Sequence, residues 1–222
     1  MIFRENVVNI EKFSTRYSLE IDESRELFKD SIFFDLEHYV YKKPVCIGVF
    51  GCCYFDEKSS ELKVTQYMIE NKVDSEEILK LAEKYFADML RINHKKYIVT
   101  FSGNNDFTVI NYLFKQNEIE FDFEASFKQI DLQKEYEKVK KVSIGLKNLE
   151  KEFNITRDSA LISGQNLAKT FSKIVKDSGY ISRMPEEKKE KILLYNEQDV
   201  VSLFEIYVNW DKIIKIEASN ED

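Results

Sequence analysis

The chain has 222 residues, 43% of them hydrophobic, which is long and apolar enough for a proper core and excludes a disordered segment. A net charge of -7 argues against a passive nucleic-acid coat, but not against a nuclease whose carboxylates add negative charge that bound metal offsets. With Cys46, Cys52 and Cys53 as the 3 cysteines and His38 and His94 as the 2 histidines, a disulfide framework, a zinc site and a His-centred triad are not expected. The opening Met-Ile-Phe-Arg-Glu-Asn lacks a signal-peptide pattern, and no apolar run reaches membrane length. The expectation is a soluble, cytoplasmic protein with no membrane partner.

Residues 1–30 are mixed and charged and read as a lead-in on the domain edge, with a short helix between Glu23 and Lys29. Ile32 to Leu36 is the first strand. Val45 to Phe55, partly β-branched and apolar, is a buried second strand with Pro44 at its start. Asp56 to Ser60 is a turn, and Glu61 to Met68 alternates at period two as a third strand. Short connections make these three an antiparallel meander. A helix runs from Asp74 to Leu90, with Asp74 or Ser75 as its cap. Tyr97 to Phe101 is a fourth strand, Ser102 to Asn105 a turn, and Asp106 begins a helix to about Gln116. Phe121 to Ile130 holds a further extended piece. Helices follow at roughly 132–140, 144–153, 164–177 and 186–210, and residues 212–222 form a polar tail. The pattern describes one α/β domain over 31–211, a mixed sheet with helices on its faces.

Three stretches carry chemistry. In Phe34-Asp35-Leu36-Glu37 two acids stand one residue apart at the end of a strand, so both emerge on one face. Such a pair repels unless a cation lies between, and oxygen donors suit Mg²⁺ or Mn²⁺. The second stretch, Thr100 to Asp106, is a strand and a glycine turn that delivers an acid to a helix start. Alone, that acid would read as a helix cap. The third is Tyr195-Asn196-Glu197-Gln198-Asp199, where Tyr195 and Asp199 are four apart and share a helix face. Asp199 is hemmed by Val200, Val201 and Leu203, so it needs a partner or a metal. Lys169, Lys173 and Lys176 recur at helical spacing, and Arg183, Lys188, Lys189 and Lys191 precede the tyrosine motif. They form either a solvated face or a phosphate track for a single strand.

The order Asp-x-Glu, Asp, Tyr-x-x-x-Asp resembles the DEDD exonucleases of the ribonuclease-H-like superfamily, in their Tyr-containing subclass. The nearest resemblance is to the YprB-like branch, through Phe34 to Glu37, Thr100 to Phe107 and Leu194 to Val200. The stretch Ser143 to Arg157 is also similar, a helix preceding an arginine. The resemblance covers about residues 31–208. It implies a ribonuclease-H-like mixed sheet and 3′-5′ hydrolysis of single-stranded DNA or RNA by two metal ions. It implies that Asp35, Glu37 and Asp199 hold one ion, that Asp35 bridges to a second supported by Asp106, and that Tyr195 orients the attacking water. Lys169, Lys173 and Arg183 are the candidate substrate contacts. Where the second motif of such families often carries Asn-Gly and a Phe before the Asp, this chain has Ser102-Gly103 and Asn105. Phe107 is read as core, and His38 as a surface or loop residue outside the site. The competing readings are a non-catalytic ribonuclease-H-like module that binds nucleic acid or a protein partner, and an endonuclease of the same fold.

Overall fold

The computed structural model describes residues 1–157 and 164–218. The meander forms from β2 (Ser31–Tyr41), β3 (Lys43–Asp56) and β4 (Glu61–Met68), each antiparallel to the next. The turn between β2 and β3 closes on Lys42, whose φ of 59° lies in the left-handed region. On the other side of β2 the strands β5 (Tyr97–Thr100) and β6 (Lys128–Asp131) run parallel to it. β2 is therefore an inner strand, antiparallel to one neighbour and parallel to the other.

Within residues 1–30, expected as a lead-in on the domain edge, the structure adds an edge strand. Ile2–Val8 is a strand, β1, which pairs antiparallel with β4 and gives the sheet the order β1-β4-β3-β2-β5-β6. It also holds the far end of the chain. Arg4 bonds Glu190 at 2.5 Å, and Asn6 donates to the carboxylate of Glu197 at 3.1 Å. The short helix expected between Glu23 and Lys29 is a single 3-10 turn at Leu27–Asp30, after an isolated bridge between Ile21 and Ser24.

The helices are α1 (Asp74–Arg91), α2 (Asn104–Gln116), α3 (Phe123–Ser126), α4 (Leu132–Lys140), α5 (Leu146–Glu152), α6 (Gly164–Lys176), α7 (Glu186–Val208) and α8 (Trp210–Ala218). Three boundaries differ from expectation. Asp74 lies inside α1 rather than capping it, and its carboxylate accepts the N–H of Glu70 at 2.8 Å. The extended piece over 121–130 is interrupted by α3, which leaves only β6 as a strand. The last long helix stops at Asn209, and much of the expected tail is the helix α8. Residues 219–222 of that tail lie outside the described residues.

The period-two alternation of β2 divides the core. Ile32, Phe34 and Leu36 enter one apolar cluster, where the Phe34 ring packs on Phe86 of α1 and Phe107 of α2. Phe33 enters the other cluster, against Phe204 and Tyr207 of α7. Phe107 is a core residue, as expected. Cys52 and Cys53 are buried in β3 and unbridged. α6 lies close on the sheet because Gly48 has no side chain: a Cβ there would stand 2.3 Å from the ring of Phe171. Among the described residues no helix is long and apolar enough to cross a membrane.

Candidate active site

Asp35 and Glu37 share the β2 face that carries Phe33, so they point to the layer formed by α7. Asp199 sits on α7 two turns before Tyr207 and arrives over the same strand. One carboxylate oxygen from each of Asp35, Glu37 and Asp199 lies within 4.8 Å of the others. Glu37 and Asp199 are buried and Asp35 is partly exposed. All three donors are oxygen, the set that suits Mg²⁺ or Mn²⁺.

Asp106 comes from the helix that follows the neighbouring parallel strand. β5 ends at Thr100, and Ser102 turns the chain with a φ of 55°. α2 then starts at Asn104, so Asp106 lies in its first turn. It is buried, and the charges of Asp35 and Asp199 act on it, although it lies outside the tight three-acid cluster. His38 corrects an expectation. A break in the β2–β3 register falls between Glu37 and His38, and the imidazole Nδ1 ends 3.9 Å from an Asp106 oxygen. His38 is thus beside the site rather than on an open surface. Burial lowers its pKa, so the ring is no standing counter-cation.

The electrostatics are those of acids brought together at a cost. Burial pushes Asp35 up to about 6, against the pull of the Asn196 amide and Arg157. Glu37 is raised well above its ordinary value by burial and then by Asp35, Asp199 and Asp106. Asp106 and Asp199 are raised in the same way, burial first and Asp35 next. Each acid makes the others harder to ionise, and divalent cations would remove that conflict. The residues present therefore fit such ions.

Tyr195 precedes Asp199 by one helical turn. Two cations lie against its ring, Lys147 Nζ 4.9 Å and Arg157 Cζ 5.3 Å from the centroid. Burial and the nearby acids raise its pKa, so it is a neutral phenol at physiological pH. Arg157 donates to both Asp199 and Glu150, an arrangement considered below.

Asn196 was not singled out in the sequence. Its Nδ2 donates to Asp35 Oδ2 at 3.1 Å, and its Oδ1 accepts from Gln66 Nε2 at 2.8 Å. Gly51, paired with Asp35 across the sheet, makes the room: a Cβ there would stand 2.0 Å from Asn196 Oδ1. Gln66 and Gly51 are themselves register partners, so α7 is keyed to three adjacent strands through one amide.

The proposed substrate contacts separate. Lys169 and Lys173 line a cavity of about 380 Å³ with Tyr180, Lys188 and Lys191. Arg183 is exposed, pairs with Asp177, and does not line it.

A mixed sheet with carboxylates gathered from its inner strand, the helix after a parallel strand and a late helix defines the ribonuclease-H-like class of α/β fold. In agreement, a family model described as the RNase H superfamily matches residues 32–211, and the chain belongs to that superfamily. This membership supports nuclease-type chemistry on nucleic acid with divalent metal, to which the acidic cluster corresponds. No curated protein and no solved structure matches the chain.

Proposed function

We propose that this protein is a 3′-5′ exonuclease that hydrolyses phosphodiester bonds of single-stranded nucleic acid with two divalent ions, Mg²⁺ or Mn²⁺. The observation that carries this reading is the meeting of Asp35, Glu37 and Asp199 within 4.8 Å from a strand and a helix remote in sequence. Tyr195 stands one turn before Asp199 and Asp106 stands close by. Asp35, Glu37 and Asp199 would hold one ion, and Asp35 with Asp106 the other. Bound there, the ions would supply a nucleophilic water at neutral pH and neutralise charge on the scissile phosphate and leaving oxygen.

The chain's own groups do the rest. Tyr195 stays protonated, so it orients the attacking water by a hydrogen bond and does not take its proton. Asn196 fixes the Asp35 carboxylate through Oδ2. Lys188, Lys191, Tyr195 and Asp199 recur at three- and four-residue steps on α7, so the lysines share a face with the site. Lys188 precedes Tyr195 by two turns, roughly 10 Å along the axis. A strand whose end is held at the acids would pass Lys169, Lys173, Lys188 and Lys191 upstream, where ammonium groups meet phosphates.

The test is digestion of 5′-labelled single-stranded DNA and RNA with Mn²⁺, Mg²⁺ or chelator, beside Asp35→Asn. The expected result is a metal-dependent ladder that shortens from the 3′ end and is absent in the variant. Full activity in Asp35→Asn would overturn the site. Equal cutting of a substrate with a blocked 3′ end would make the enzyme an endonuclease.

A further inference from the structure

The ion pairs around Asp199 have no part in the hydrolysis described above. Arg157 is almost enclosed, with 9% of its side chain exposed, and it spans two buried acids. Its Nη2 donates to Asp199 Oδ1 and to Glu150 Oε1, and its Nε donates to Glu150 Oε2 at 2.7 Å. Its field reaches further, favouring the ionised form of Asp35 and lying against the Tyr195 ring. Nη1 is buried without a hydrogen-bond partner.

Glu150 is the telling member. It is 2% exposed, stands outside the three-acid cluster, and its charge opposes the ionisation of Asp199. A buried acid that adds to the repulsion beside a carboxylate cluster has no use as a spectator. What it does here is share Arg157 in a bidentate fork, the geometry a guanidinium offers and an ammonium does not. The guanidinium's charge is thereby divided between Asp199 and an acid that does not converge on the cluster.

We propose that Arg157 and Glu150 form a counter-ion switch on the metal site. In the metal-free chain the guanidinium occupies Asp199 and relieves the repulsion among the acids. Loading of a divalent ion draws on the same carboxylate, so Arg157 must yield part of its hold. Glu150 sets how tightly Arg157 holds, by competing for it. Arg157 is a positioning residue that acts through Asp199, and the inference rests on the reading of the acids as a metal site.

Two substitutions shift metal affinity in opposite directions if this is right. Arg157→Gln removes the competitor and leaves more negative charge, so Mn²⁺ binds more tightly. Glu150→Gln frees Arg157 to hold Asp199 alone, so Mn²⁺ binds more weakly. Each change is expected to be roughly tenfold, the scale of one hydrogen bond to a charged group. The double variant stays near the affinity of Arg157→Gln, because Glu150 acts through Arg157 and has nothing left to compete for.

The experiment is calorimetric titration of the full chain with Mn²⁺, without substrate, for wild type and the three variants, together with thermal melts in chelator. Arg157→Gln is expected to melt below wild type in chelator and to regain more on adding Mn²⁺. Glu150→Gln retains the Arg157–Asp199 pair and keeps the test readable if Arg157→Gln does not fold. Shifts of the same sign in both single variants, or unchanged Mn²⁺ affinity in Glu150→Gln, would overturn the switch. A wild-type chain that binds no Mn²⁺ would instead remove the metal site itself, and the switch with it.

Discussion

Asn196 donates to Asp35 at 3.1 Å from the helical position next to Tyr195, which ties a carboxylate of the acidic cluster to the helix that carries Tyr195 and Asp199. The tie depends on the bare backbone of Gly51. We expect Gly51→Ala to destabilise the fold by about 1–3 kcal/mol, because the new methyl meets an amide pinned by Gln66 and has nowhere to go. Urea denaturation measures this, and hydrolysis should fall with it as Asp35 loses its partner. Gly51→Ala at wild-type stability would show that α7 lies further from the sheet.

Neutralising Asp106 separates chemistry from stability. Its burial beside other acids costs the folded chain, so Asp106→Asn should raise the melting temperature in chelator. The same change should lower metal-dependent hydrolysis by roughly a hundredfold or more, as expected when a preorganised charge is lost. A variant that lost stability and kept activity would place Asp106 in the scaffold alone.

The metal-free fold should weaken as pH rises through the range in which the acids ionise. Asp35 is lifted from an ordinary 3.8 to about 6, and Glu37, Asp106 and Asp199 are raised too. Between those two values the folded chain keeps a proton on Asp35 that the unfolded chain has released, so stability is lost with increasing pH. Melting in chelator is expected to move down as pH rises from about 4 through about 6, and Mn²⁺ should restore it at neutral pH by favouring the ionised carboxylates. A melting temperature that climbs across that window in chelator would contradict the raised values.

The lysine cavity makes a graded prediction. Replacing Lys169 and Lys173 with glutamine should reduce the slope of log binding against log salt by about 0.7 for each lost phosphate contact. Arg183→Gln serves as the control, since Arg183 is engaged with Asp177 and outside the cavity. An unchanged slope in the double lysine variant would return both residues to an ordinary solvated face.

What could be read from the sequence follows short periods. Asp35 and Glu37 share a face because strands alternate, and Tyr195 and Asp199 because helices repeat at about four residues. These spacings are local, so they needed no tertiary information. Asn196, Gln66 and Gly51 were invisible for the opposite reason. Each looks ordinary in its own element, and only strand register and helix docking bring them together. His38 was misplaced because the first strand, expected to end at Leu36, runs on to Tyr41 and carries His38 past Asp106. β1 escaped notice because Ile2–Val8 alternates poorly and leaves much of its length exposed, while its partner β4 lies some sixty residues on. For Arg157, the pair with Asp199 spans 42 residues, beyond the reach of any local pattern.

The bond between Asn196 and Asp35 closes across 161 residues, and β1 clasps α7 across still longer separations. Contacts so distant in sequence must close long loops, whereas the meander needs only short ones. The meander, whose strands are neighbours in sequence, can assemble first and display Asp35 and Glu37 on an open sheet. Those two acids do not make the site alone. Asp199 and Tyr195 come only when α7 docks, so the proposed site is incomplete until that long-range contact is made. Under the proposed function, a chain whose α7 has not docked lacks two of the site's groups and would be inert toward the nucleic acids around it.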